Sequence, residues 1–389
     1  MEKIKVGIIG IGNVGSSHAQ CIYDHLVDGM ELAAVCDIDA KLKSIAHERF
    51  PGIPFFEDFR QMLLSDIDFV IVSVPHPLHA DIAMECFRSG KHVLVEKPVD
   101  IRVSKARMLN EVAKNSGKVF GVMFNQRTGD LFQKAREIVQ SGALGTMKRN
   151  TWIITNWYRT QHYYDSGSWR ATWTGEGGGV LVNQAPHQLD LWQWICGMPE
   201  SITAYCEVGK YHNIEVEDTA TIFAKFPGGA EGIFITSTAE YPGTNRFEIV
   251  GTLGKLVLEN GVLRWWKLET DEQKFSETCD ESFPRIPYSY EEFQQGEKVN
   301  GHQRILQNLA DHILKGVPMI ASGYEAIRAL SIQNAAYLSA WHGNVKISLP
   351  MDEAEFDRLL ALRQNKVLNA AERKGLPNTQ YDERWQINW

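Results

Sequence analysis

An α/β fold in two parts is predicted from three observations. Strand-like and helix-like segments alternate through residues 1–124 at the spacing of a doubly wound parallel sheet. A glycine-rich loop stands where the first strand hands over to the first helix. Beyond residue 124 short strands follow one another across turns such as Pro227-Gly228-Gly229 and Asn260-Gly261. That pattern predicts an α+β domain on an open, mainly antiparallel sheet. With 389 residues, 44% hydrophobic and 23% charged, the chain has the length and balance for two or three ordinary cores.

The elements follow in order. Ile4 to Ile9 is a short apolar run that ends in Gly10-Ile11-Gly12-Asn13-Val14-Gly15. Glycines there permit a tight turn and let the backbone approach a pyrophosphate, while the next helix turns its first N–H groups toward the phosphates. That helix is expected over 14–28 and a second strand over 32–36. Further strands are expected at 54–56, 69–74, 92–95 and 119–123, with helices at 40–50, 77–89 and 104–116. The second part should hold a helix over 130–141 and strands at 147–157, 201–208, 219–226, 230–238, 246–250, 255–258 and 262–268. Amphipathic helices at 301–315 and 324–342 read as core, and one more helix is expected over 351–374. The natural division is 1–124, 125–350 and 351–389. Apolar Trp385, Ile387 and Trp389 at the end of the tail are expected to dock.

Chemistry gathers at the carboxyl ends of the strands, where ligands sit in an open α/β sheet. The second strand ends at Asp37, placed to accept from a ribose 2′-OH and to repel a 2′-phosphate. Ile38 and Asp39 follow, with no cation, which favours NAD over NADP. Ser73-Val74-Pro75-His76 closes the fourth main strand, and His79 follows. Both histidines stand where a nicotinamide should lie, or simply start a helix. Val93-Leu94-Val95 delivers Glu96, Lys97 and Pro98 to the cleft, and Asn125-Gln126-Arg127 leaves the sixth strand at the same edge.

Together the glycine motif, Pro75 with His79, and Glu96-Lys97-Pro98 resemble the Gfo/Idh/MocA family of nicotinamide-dependent sugar and cyclitol oxidoreductases. Trp169-Arg170 looks like that family's W-R pair. Gly177-Gly178-Gly179 with Asn183 and His187 resembles its glycine-rich segment and D-x-x-x-H helix. The likeness spans nearly all of the chain before residue 351. It implies a Rossmann domain binding NAD through Gly10, Ile11, Gly12, Asn13, Val14, Asp37, Ser73, Val74, Pro75, His76, His79, Glu96, Lys97, Asn125, Gln126, Trp169 and Arg170. It also implies a cis peptide before Pro98.

Asn183 departs from the family's usual Asp. An amide carries no charge, so it cannot raise the pKa of His187, though it can read a substrate hydroxyl. Lys97 suits stabilisation of a developing alkoxide, and His187 suits proton transfer. Four residues apart on a helix, Asn183 and His187 would share one face, with Pro186 kinking the helix or marking its first turn. Asp190 could fix the His187 ring; a metal site on that pair lacks a third ligand, so no metal is expected.

Six of the 11 tryptophans fall between Trp152 and Trp194. Aromatic faces pack against the C–H face of a pyranose. Trp192 and Trp194 read as core, while Arg127, Trp157, Tyr158, Arg159, Tyr163, Tyr164 and Gln184 are candidate substrate contacts beside Lys97, Asn183 and His187. The resemblance points to oxidation of a ring secondary hydroxyl of a sugar or glycoside, at C3. Inositol dehydrogenation, an NAD-dependent redox-neutral glycosidase and a non-enzymatic NAD-binding regulator stand as alternatives. A formal net charge of −8 argues against nucleic acid as a partner, and no apolar run suits a membrane span. Six cysteines without a C-x-x-C pair suggest a reducing cytoplasm, and the first strand starts too early for a signal peptide. The open sheet suggests a homo-oligomer, a dimer or tetramer.

Overall fold

A computed structural model describes residues 3–167, 169–296 and 300–365. Its first sheet is six-stranded and parallel: β1 (Ile4–Ile9), β2 (Met30–Cys36), β3 (Phe55–Phe56), β4 (Phe69–Val72), β5 (His92–Val95) and β6 (Phe120–Val122), in the order β3-β2-β1-β4-β5-β6. Helices cover both faces, so β4 is buried at every position and β1 and β5 at all but one. Strand order reverses between β1 and β4. Their carboxyl ends therefore open a crevice, and Gly10 and Ser73 stand at its mouth.

The second sheet has nine strands: β7 (Met147–Ile154), β8 (Ser201–Val208), β9 (Glu217–Lys225), β10 (Glu231–Ser237), β11 (Asn245–Gly251), β12 (Gly254–Glu259), β13 (Val262–Leu268), β14 (Tyr288–Gln294) and β15 (Ile347–Ser348). They run in the order β14-β13-β12-β11-β7-β10-β9-β8-β15. Only β7 and β10 pair in parallel among these described strands; the others are antiparallel. On the inner face Trp152 stacks on Phe247 with ring centroids 4.4 Å apart. Trp192, from helix Pro186–Cys196, lies against Phe234 and donates to Asn150 Oδ1 at 2.5 Å. Both tryptophans are fully enclosed, as a buried indole with a satisfied N–H should be.

Helix Gly301–Lys315 returns to the first sheet, where Leu309 packs over Gly121; a Cβ there would approach Leu309 Cδ2 to 2.9 Å. Asn300 caps this helix through the N–H groups of His302 and Gln303. The cap fixes His302 over the crevice, with its ring 5.5 Å from that of His18.

Several expectations are corrected. The first helix stops at Tyr23, because the chain turns through His25 at φ 56°. Helix 77–89 opens as a tighter turn, His76–Leu78, around Pro77. Asn183 and His187 do not share a helix: Val180–Asn183 is one turn, and Pro186 begins the next helix. Helices Gln161–Asp165 and Glu272–Thr278 and strands β14 and β15 were not anticipated. In β14 six of seven residues are exposed, so no alternation marks it. The last helix runs Glu353–Asn365; its expected extension, Trp385, Ile387 and Trp389 lie outside the described residues.

Candidate active site

The glycine loop is built for close backbone approach. Gly10 has φ 85°, and a Cβ on it would sit 2.3 Å from Ser73 O; one on Gly15 would sit 1.8 Å from Gly10 O. A Cβ on Gly12 would meet nothing within 4 Å, so this glycine faces open space. A cavity of about 410 Å³ opens there, lined by Ile11, Gly12, Asn13, Ser16 and Arg49. Asn13 and Val14 start helix Asn13–Tyr23. Asp37 Oδ2 accepts from Ile11 N at 2.9 Å and Oδ1 from Asp39 N at 3.0 Å. The carboxylate is thereby aimed across the loop and keeps lone pairs for a diol. These residues fit the adenosine and pyrophosphate of a dinucleotide.

At the nicotinamide end, Glu96 Oε1 contacts His18 Nε2 at 2.7 Å, and Oε2 accepts from Lys97 N at 3.2 Å. Burial pushes the Glu96 carboxyl up, but the His18 hydrogen bond together with the charges of His18, His302 and Lys97 brings it down to about 2. Asn125 Nδ2 meets His302 Nδ1 at 3.3 Å. Burial and then His18 bring His302 down to about 4. Gln126 accepts from Gln188 of helix Pro186–Cys196 at 2.7 Å. Pro75 leads into the turn where His76 Nδ1 contacts Glu176 O at 3.2 Å. His79, expected either at the cofactor or as a helix start, opens helix His79–Arg88, and its ring nitrogens contact Pro98 O at 2.7 Å and Val74 O at 2.6 Å. The Lys97–Pro98 peptide is cis.

Lys97 lies near enough for its charge to act on His187. Lys97 Nζ donates to the backbone carbonyl of Asn183 at 3.1 Å. His187 stands just beyond, in the first turn of its helix, and its buried Nδ1 has no hydrogen-bond partner among the described residues. Burial first, then the charges of Lys97 and His302, push this imidazole well below its ordinary range. It is therefore a neutral base at any pH near neutrality.

Asp190 does not orient His187, and Arg127 does not reach the cleft. Arg127 is fully buried and donates through Nε and Nη2 to both Asp190 oxygens at 2.7 Å. Its Nη1 pairs with Glu325. Two of the aromatic candidates are likewise core. Trp157 is buried with Nε1 on Thr236, and the buried Tyr164 hydroxyl meets Thr238 at 2.7 Å. The others form one wall. Arg159 lies over the Tyr163 ring, and Arg170 is sandwiched between Tyr163 and Trp169 at 4.7 and 4.6 Å. The Tyr163 hydroxyl takes donors from Arg170, Asn183 and Gln184 at 3.0, 3.3 and 3.4 Å. Tyr158 is half exposed beside Tyr241.

Residues that sequence reasoning passed over also shape the site. His18, three residues after the last glycine, and His302, behind a helix cap, flank Glu96. Glu176 touches Asn183 directly. Glu217 accepts from Gly179 N, Leu181 N and Tyr337 Oη and so pins the glycine run. No group of three or more His, Cys, Asp or Glu side chains among the described residues is arranged to hold a metal.

Fold and site together define an NAD-binding oxidoreductase. Residues 4–124 match the oxidoreductase family with an NAD-binding Rossmann fold, and residues 132–257 match the GFO/IDH/MocA C-terminal domain. The chain belongs to the GFO/IDH/MocA family. It is 23% identical over 342 residues to the myo-inositol 2-dehydrogenase of Thermotoga maritima, covering 86% of this chain and 95% of that protein. It is 30% identical over 194 residues to a glycosyl hydrolase family 109 protein of Shewanella, spanning 46% of this chain and 42% of that one. The WlbA dehydrogenase of Bordetella pertussis, solved with NADH and UDP-GlcNAcA, superposes with a TM-score of 0.74 at 26% identity, over 90% of this chain and 100% of that one.

Proposed function

We propose that this enzyme oxidises a ring secondary hydroxyl of a sugar or glycoside, at C3, to a ketone. The observation that carries the reading is the meeting of Lys97, the Asn183 carbonyl and the neutral His187 at the crevice. NAD, when bound, supplies the hydride acceptor. Lys97 donates to the reacting oxygen and stabilises it as negative charge develops. His187 takes the hydroxyl proton. Asn183 and Gln184 read neighbouring hydroxyls, and the Tyr158–Tyr163–Trp169 wall packs against the sugar's C–H face. Ser73, Val74, Pro75, His76, Glu96, Asn125 and Gln126 frame the nicotinamide, with Arg170 and Trp169 closing the cleft.

The likeness to WlbA and to inositol dehydrogenases supports a polyhydroxylated ring as substrate. Inositol oxidation is the second reading, supported by the likeness to the Thermotoga maritima dehydrogenase, which spans 95% of that protein. The half-length likeness to the family 109 hydrolase supports a third, glycoside cleavage without net NADH. A purely regulatory NAD-binding role has no use for Lys97 and His187. The test is NADH formation with a panel of glucosides, free sugars and inositols, with aglycone release followed in parallel. Lys97→Met should keep its fold and lose at least about a hundredfold in kcat. Wild-type inactivity on every polyol, or full activity in Lys97→Met, would refute the proposal. We further propose a cytoplasmic homo-oligomer joined through the outer face of the second sheet, where Tyr205, Phe223 and Tyr290 are all near half exposed.

A further inference from the structure

Asn183 stands where a carboxylate is usual, and a carboxylate stands against it. Glu176 is the residue before the triple glycine and is 2% exposed. Its backbone is tied at both ends: its N–H donates to Thr172 O at 3.1 Å, and its carbonyl accepts from His76 Nδ1. Its side chain is tied as well. Oε2 accepts from Ala171 N at 2.7 Å, and Oε1 accepts from Asn183 Nδ2. We propose that Glu176 and Asn183 form an obligate carboxylate–amide pair, in which Glu176 is the positioning residue that fixes which end of the Asn183 amide faces the substrate.

The chemistry admits one orientation. Oε2 already accepts from Ala171 N, Oε1 lies against Asn183 Nδ2, and the Tyr163 hydroxyl accepts from the same nitrogen at 3.3 Å. Oδ1 is then directed away from the pair as an acceptor for a hydroxyl proton. An aspartate at 183 would place two carboxylates in contact, one of them the buried Glu176, and each would oppose ionisation of the other. The groups facing Glu176 set its charge. Burial raises its pKa; Ala171 N–H, the Arg170 guanidinium, the Asn183 amide and the Lys97 ammonium oppose the rise. Asn183 is on this account a requirement of Glu176 and not a weakened aspartate.

The inference rests on the reading of Asn183 as a substrate contact, so the test has an arm that needs no substrate. Asn183→Asp, Glu176→Gln and the double variant are each melted with NAD present and assayed on the best substrate of the panel. In Asn183→Asp the two carboxyls share a proton, which holds one of them above its ordinary range. The folded state then binds more protons than the unfolded chain, so stability falls as pH rises. Tm should drop by about 5 °C more than wild type between about pH 5 and pH 8, and kcat/KM at pH 8 should fall about tenfold or more. The double variant restores a carboxylate–amide pair in reverse and should recover both. Should Asn183→Asp be insoluble, a soluble double variant supports the pairing and an insoluble one overturns it. Equal pH dependence in Asn183→Asp and wild type, or a double variant no better than Asn183→Asp, also overturns it. Inactivity of the wild type on every polyol sinks the sugar reading alone, because the melting cycle still reports on the pair.

Discussion

Arg127→Met separates a structural arginine from a substrate-binding one. Arg127 and Asp190 are both without exposed surface and joined by two parallel bonds of 2.7 Å. Methionine roughly fills the stem but leaves Asp190 with one side-chain donor among the described residues, Gln193 Nε2 at 3.0 Å. Breaking a buried ion pair from one side costs about 3–5 kcal/mol, because the surviving charge stays out of water. Asp190 can escape by taking a proton. Burial already pushes its carboxyl up, and Arg127 supplies the largest opposing pull. In the variant the folded pKa therefore rises further above the unfolded one, so the folded state holds a proton that the unfolded chain releases. Stability is then best retained below the ordinary carboxylate range and declines as pH rises. Urea unfolding at about pH 5 and pH 8, followed by tryptophan fluorescence, should show the larger deficit at the higher pH. Arg127→Met/Asp190→Leu should recover most of the loss, as apolar replacement of a whole buried pair often does. A variant as stable as wild type at both pH values, with KM raised instead, would refute the reasoning and return Arg127 to the substrate.

Two further predictions concern the cofactor and the glycine run. Asp37→Ser should weaken NAD binding about tenfold and narrow the preference over NADP, measured by fluorescence titration; unchanged selectivity would remove Asp37 from the ribose. Glu217 is held by Gly179 N, Leu181 N and Tyr337 Oη at 3.0, 2.9 and 2.7 Å, and burial pushes its carboxyl up to about 7. The folded state thus binds more protons than the unfolded chain from the ordinary carboxylate range up to about 7, and stability is lost as pH rises through that window. Glu217→Gln should remove part of this slope in a Tm series; the buried Asp100, also raised to about 7, and the raised carboxyls of Glu176 and Asp190 contribute the remainder. A slope unchanged in Glu217→Gln would show that this carboxyl titrates normally.

Much of the architecture was legible because local signals agreed with the global fold. Alternating apolar runs gave the parallel strands, and β8 (Ser201–Val208), β13 (Val262–Leu268) and helix Gly301–Lys315 have the bounds their patterns predict. Elements with little buried face were not legible: six of seven β14 residues are exposed, and helix Gln161–Asp165 is a single capped turn that buries only Tyr164. Periodicity also cannot say which sheet a helix serves. Gly301–Lys315 comes late in the chain, yet it packs on the first sheet and delivers His302 to Glu96.

The site divides in the same way, and the division has a chemical cause. Residues whose role depends on backbone geometry announce themselves: Gly10 needs a positive φ, and Lys97 follows a buried strand. Residues whose role depends on a neighbour far along the chain do not. Arg127 stands one step past two cleft residues, so proximity in sequence suggested substrate. What decided its fate was Asp190, 63 residues on, which claims two of its nitrogens. Glu176 gave no signal because a lone carboxylate before glycines is common, and its meaning appears only when Asn183 is folded onto it. Reading Asn183 alone suggested a lost charge. Reading the pair places a carboxyl group one contact beyond Asn183, on a residue whose Oε1 can hold the amide still.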